Sequence, residues 1–213
     1  MKVVVIAVVA LLVVLSHSER LLTACAPPHF DNNFIHGNRN TVGGDRNKLF
    51  GHQNLVIGCD NGIVGNQNMQ LGNHNFAGGN CNLQVGNGNA ALGNFNSQFG
   101  HGNLAAGHGN FQAGNGNGAI GHLNTQVGNH NFAGGNFNTQ LGHGNTALGN
   151  CNFQAGHQNF ANGNNNFQIG HQNYANGNNN GMIGNANAVH GGGNFIKGHE
   201  NLVVSSGSGR RYC

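Results

Sequence analysis

Three histidines, His143, His157 and His171, stand fourteen residues apart, and the same interval separates His108 from His122. If residues at that interval are vertical neighbours in a stack of strands, their imidazoles come within about 5 Å of one another. They are then candidate ligands for zinc or copper. The competing reading is that His substitutes for Asn as a hydrogen-bonding turn residue, because Asn fills most of the equivalent places. The chain has five cysteines, Cys25, Cys59, Cys81, Cys151 and Cys213. Cys81 and Cys151 are seventy residues apart, which at strand spacing is about 24 Å, too far for one disulfide. Cys25 and Cys213 lie near opposite ends and are candidates for a head-to-tail disulfide between subunits, with free or locally paired thiols as the alternative. Residues 61–196 contain no Asp, Glu, Lys or Arg. That excludes repeated acid–base pairs, hydrolytic triads, Asp-based calcium β-rolls and a basic nucleic-acid patch. Gly-x-Gly pairs such as Gly86 and Gly88 lack the strand-to-helix setting of a phosphate loop. No catalytic residue and no cofactor is assigned, and the chain reads as a non-enzyme.

The element that positions these residues is a repeat. Of 213 residues, 39 are Gly and 43 are Asn, while charged residues make up 6%, a composition foreign to an enzyme core. Gly-x-x-Asn recurs every seven residues from Gly37 to Gly198, and twenty-five heptads run from Phe30 to Val204. With Gly as position one, Asn occupies position four in all twenty-five heptads. A helical heptad is excluded, since fixed Gly and Asn oppose a helix and a coiled coil needs apolar a and d positions. Position six alternates Gln and Ala strictly from Gln70 to Ala175, and it is apolar on both sides of that block. The true unit is therefore fourteen residues.

A fourteen-residue unit with two glycine turns reads as one coil of an all-β, single-chain β-solenoid (β-roll), two short strands per coil and about twelve coils. Strands are expected over positions four to seven and turns over one to three. Side chains alternate faces along a strand, so four and six share one side and five and seven the other. Position five ranges from Gly to Phe, which suits an outer surface, whereas Gln facing Ala suits a core of fixed thickness. The opposing choice puts the apolar side chains of five and seven inside. We favour positions four and six as the inward ones, with like amides stacking from coil to coil as in cross-β ladders. The inward Asn ladder comprises Asn68, Asn75, Asn82, Asn89, Asn96, Asn103, Asn110, Asn117, Asn124, Asn131, Asn138, Asn145, Asn152, Asn159, Asn166 and Asn173. The Gln ladder comprises Gln70, Gln84, Gln98, Gln112, Gln126, Gln140, Gln154 and Gln168. The lack of charge follows, because a repeated charge would sit one strand spacing from its like.

Met1-Lys2 and the apolar run Val3 to Leu15 have the form of a secretory signal peptide over residues 1–18. Residues 19–29 form an N-terminal segment, 30–204 the solenoid and 205–213 a flexible tail. The expected location is secreted and extracellular, with no membrane span.

The motif Gln-x-Gly-x-x-Asn-x-Ala occurs eight times, from Gln70-Leu-Gly72-Asn-His-Asn75-Phe-Ala77 to Gln168-Ile-Gly170-His-Gln-Asn173-Tyr-Ala175. It resembles the curlin repeat, and the pattern is also similar to the β-roll heads of trimeric autotransporter adhesins. The curlin resemblance implies a secreted subunit that polymerises into extracellular functional amyloid with inward Asn and Gln ladders. The expected role is a structural protein whose partner is itself, assembling into fibres or matrix end to end or laterally. The alternative is a monomeric solenoid binding module with a surface or matrix ligand: adhesin-like, carbohydrate-binding or ice-binding.

Overall fold

The computed structural model describes residues 32–205 and the strand Arg211–Tyr212. Twenty-six strands run through it, from β1 (Phe34–His36) and β2 (Thr41–Gly43) to β24 (Phe195–His199), β25 (Leu202–Val204) and β26 (Arg211–Tyr212). Odd-numbered strands form one thirteen-stranded sheet and even-numbered strands another. Neighbours pair in parallel at a shift of fourteen residues, as in Gln112↔Gln126 and Ala105↔Ala119. The chain is thus a two-sheet β-solenoid of about twelve coils. Turns beginning at Gly37, Gly51 and so on lead from the odd to the even sheet along one edge of the rod. Turns beginning at Gly44, Gly58 and so on return along the other. The last pairing, β24 with β26, joins Phe195 to Arg211, a shift of sixteen, so the register slips by two residues there.

The core contains positions four and six. Asn at position four is at most 2% exposed from Asn47 to Asn194, and the eight glutamines and their Ala counterparts at position six are fully buried. Position six also provides an apolar plug at each end, Leu49, Val56 and Ile63 at one, Met182, Val189, Ile196 and Val203 at the other. Side chains of five and seven face out, although Leu71 at position seven is covered to 5% exposure. Strands begin at position five rather than four, because the position-four N–H donates to an Asn side chain one coil back and not to a strand carbonyl, as with Asn96 N to Asn82 Oδ1 at 3.0 Å.

The turn requires two kinds of positive φ. Gly at position one has φ from +110° to +142°, and a Cβ there would collide with the backbone carbonyl oxygen one coil on, as Gly107 would with that of Gly121. Position three is left-handed throughout, and its eighteen non-Gly residues have φ between +55° and +60°. Here no backbone stands in the way: a Cβ on Gly102 meets nothing within 4 Å, and on Gly109 or Gly116 it would meet only the side chain of Leu123 or His130.

These positions should therefore respond differently to substitution. Gly107→Ala is expected to destabilise the fold by at least about 3 kcal/mol, since strain and a backbone clash add. Gly102→Asn is expected to stay within about 1 kcal/mol, because Asn tolerates the left-handed region. Thermal melts followed by circular dichroism measure both.

Candidate functional site

Each position-four Asn joins three coils. Asn110 Nδ2 donates to Asn96 Oδ1 one coil back (3.1 Å) and to the Gly121 carbonyl (2.9 Å), and its own Oδ1 accepts the Asn124 N–H (3.1 Å) and Nδ2 (3.1 Å). The Gly carbonyl reached this way belongs to the next turn along, and Asn47 to Gly58 through Asn187 to Gly198 repeat the bond. The sixteen residues Asn68 to Asn173 all lie in these columns. At the C-terminal end Ser205 takes the place of the turn glycine, and its hydroxyl accepts from Asn194 Nδ2 at 2.9 Å.

Glutamines bond along the rod and across it. Gln112 Nε2 donates to Gln126 Oε1 (2.8 Å) and to the Leu104 carbonyl of the opposite sheet (2.8 Å). The facing Ala is what leaves room for that reach. Seven such links connect Gln70 to Gln168. Where the ladder stops at Met182, Gln168 turns its Nε2 to the Phe160 and Asn173 carbonyls. Among the described residues two buried side-chain atoms lack a partner, Gln70 Oε1 at the first rung and Asn194 Oδ1 near the last coil.

Position two uses the same device on the turn surface. Its N–H donates to the side chain one coil on, as from His101 N to Asn115 Oδ1 (3.0 Å), and Nδ1 of His52, His101, His143 and His199 accepts that bond in place of an amide oxygen. This is the turn role weighed against metal binding. His143, His157 and His171 do stack, with centroids 5.0 and 4.9 Å apart and planes within 5°. Two nitrogens on one zinc are at most about 4.2 Å apart, so near-parallel rings at 5 Å do not converge on one ion. Among the described residues no group of three His, Cys, Asp or Glu is placed to hold a metal, and of the three His143 takes the turn role, its Nδ1 accepting the Asn129 N–H.

Cys59 is buried and disulfide-bonded, whereas Cys81 and Cys151 are free. The partner of Cys59, and the Cys25 and Cys213 assigned to a head-to-tail bridge, lie outside the described residues. Residues 1–18, read from the sequence as a signal peptide, and most of both flanking segments lie outside them as well.

Charge is arranged by sign at the N-terminal end. Arg46 grips Asp60 one coil on through Nε and Nη2, both at 2.7 Å, and reaches Asp45 at 3.3 Å. The Arg46 hydrogen bond holds the Asp60 carboxyl below its ordinary 3.8, with His74 nearby at 3.9 Å adding slightly in the same direction.

Removing a middle rung should cost more than removing the last. Gln112→Leu strands Gln126 Oε1 and one Gln98 N–H, and is expected to cost about 2–4 kcal/mol, against about 1–2 for Gln168→Met, which strands one donor of Gln154. Denaturant melts of both variants measure the difference. His143→Asn is expected to leave stability unchanged in the same assay, since Asn Oδ1 can accept the Asn129 N–H. Because the folded Asp60 pKa is lowered, its contribution is present above the ordinary carboxylate range and lost as pH falls through the folded value. Asp60→Asn should therefore lower the melting temperature at pH 7, by a margin that shrinks as pH falls below the ordinary carboxylate range.

Comparison of the chain with protein-family models and with curated proteins finds no match, so the functional reading rests on this geometry.

Proposed function

We propose that the protein is a secreted, extracellular structural subunit that assembles end to end into amyloid-like fibres or matrix. One observation carries the reading: an identical inter-coil bonding unit repeats along the rod, and among the described residues its outermost strands carry no further partner. Among the described residues no strand pairs with the outer side of β1, β2 or β25. At the N-terminal end Ile35, a member of the inward column, is 48% exposed. At the other end the inward Val203 is 5% exposed, while the outward Leu202 and Val204 are 71% and 76% exposed and the buried Asn194 Oδ1 has no donor among the described residues. In every interior coil the position-five N–H donates to the following coil, as Ala188 does to the Asn201 carbonyl. The Leu202 N–H points the same way and can be met by the first coil of another copy, a strand addition that main-chain bonds would hold. The resemblance to curlin repeats agrees with this role, and the charged start with its apolar run supports export.

Purified mature chain should form filaments that bind thioflavin and lengthen when seeded with fragments of themselves. Leu202→Pro removes the donor turned to the next coil without removing one used inside the rod. It is expected to slow elongation at least tenfold with an unchanged monomer circular dichroism spectrum. Monomeric rods that never elongate, seeded or not, would reject the assembly reading and favour the binding module.

A further inference from the structure

The two edges of the rod differ. Position three on the returning edge carries charged, amide, His, Gly and Ala side chains, while on the edge leading from the odd to the even sheet it carries Phe95, Leu123 and Phe137 at 66%, 53% and 56% exposure. All three are held at φ +55° to +58°, a region bulky side chains avoid. Leu123 lays its Cδ2 over Gly109 one coil earlier, whereas Phe95 and Phe137 have Cys81 and Leu123 there in place of a glycine and stay exposed. The same column begins and ends this stretch with the free thiols Cys81 and Cys151.

Read along the rod, the column is Cys81, Phe95, Gly109, Leu123, Phe137, Cys151, which matches its own reversal except at the central pair. There the mismatch is Gly109 against Leu123, and the Leu123 side chain covers Gly109 of its own chain. The adjacent position-two column reads the same in both directions: Asn80 with Asn150, Asn94 with Asn136, His108 with His122. The position-three pairs are centred on residue number 116 and the position-two pairs on 115, one level of the rod midway between the turns at Gly107 and Gly121 and close to the middle of the array of strands from Phe34 to Val204. Along this edge Arg39 is the single charged turn residue.

We infer that this edge is a dimer interface between two copies of the chain, antiparallel about a two-fold axis that passes midway between Gly109 and Leu123 and locked by two Cys81–Cys151 disulfides. A two-fold axis normal to the sheets reverses the rod direction but keeps each column facing its own copy, which is what the palindrome requires. Phe95 then meets the partner's Phe137, Leu123 stands level with the partner's Gly109, and Cys81 meets the partner's Cys151. Because the axis lies near mid-rod, the two rods overlap almost end to end. An edge about 60 Å long and about 10 Å wide buries about 1,200 Å² in total, at the lower limit for a stable pair. The covalent lock is what such a margin needs. Within one chain the two thiols are about 24 Å apart, so they can pair only between chains. Oxidation by a low-molecular-weight disulfide balances by exchange: one thiolate attacks it and releases a thiol, and the partner's thiolate attacks the mixed disulfide and releases the second. The pairing does not depend on growth at the rod ends.

The test uses full-length chain carrying Leu202→Pro, so that failure to elongate and failure to dimerise are read separately. After incubation with oxidised glutathione, non-reducing gels should show a dimer, and peptide mapping should show Cys81 joined to Cys151 as the intermolecular link between these thiols. Phe95→Asp with Phe137→Asp places two exposed residues that tolerate the left-handed region. The pair should slow dimer formation at least tenfold with an unchanged circular dichroism spectrum. Monomer alone, Cys81–Cys81 and Cys151–Cys151 links in comparable yield, or a rate insensitive to the Phe changes would overturn the proposal.

Discussion

The structure depends on how a strand turns a corner without orphaning its backbone. At each corner two N–H groups, at positions two and four, and one carbonyl, at position one, are aimed where no strand partner lies. A carboxamide at position four accepts one of those N–H groups and donates to the carbonyl, and an Asn or His at position two can accept the other. Leaving such groups unmet in a buried place costs about 1–3 kcal/mol each. That explains why position four is never anything but Asn in twenty-five copies. A Gln there is too long for both contacts, and an Asp lacks the donor.

Once the corners are fixed, the interior follows. Two sheets held by short turns leave a narrow channel, and a Gln opposite an Ala spans it to reach the far backbone. The result is a core that is polar but bonded, closed at each end by an apolar plug. The outside then carries the apolar side chains. Phe76, Phe132 and Phe195 lie over the glycines one coil earlier, Gly62, Gly118 and Gly181, and occupy the space of a missing Cβ. Phe153 stacks on Phe167, and Phe160 on Tyr174, both at 5.1 Å.

Much of this was legible in the residues, because periodicity and volume are both written in the order of side chains. The fourteen-residue shift, the inward Asn, Gln and Ala and the apolar ends all follow from one column at a time. What escaped is conformation imposed by neighbours. Position three holds Arg, Gln, His, Cys, Phe and Leu, a mixture without a signature, yet all are left-handed because the glycine before and the Asn after set the path. The strand start at position five was hidden for a similar reason, since a side-chain acceptor stands in for a ladder bond. The histidine spacing predicted proximity but not orientation, and parallel rings defeat chelation. The disulfide at Cys59 carries no spacing signal, because repeat position says nothing about which thiol comes near.

The glutamines occupy one sheet and the alanines the other, and this asymmetry restricts how such a rod can change length. Adding or losing a single heptad would exchange the sheets beyond that point, setting long amide against long amide or leaving small methyl against small methyl. Two heptads together preserve the match. Growth of the array by duplication is therefore quantised in whole coils, each lengthening the rod by one strand spacing of about 4.8 Å.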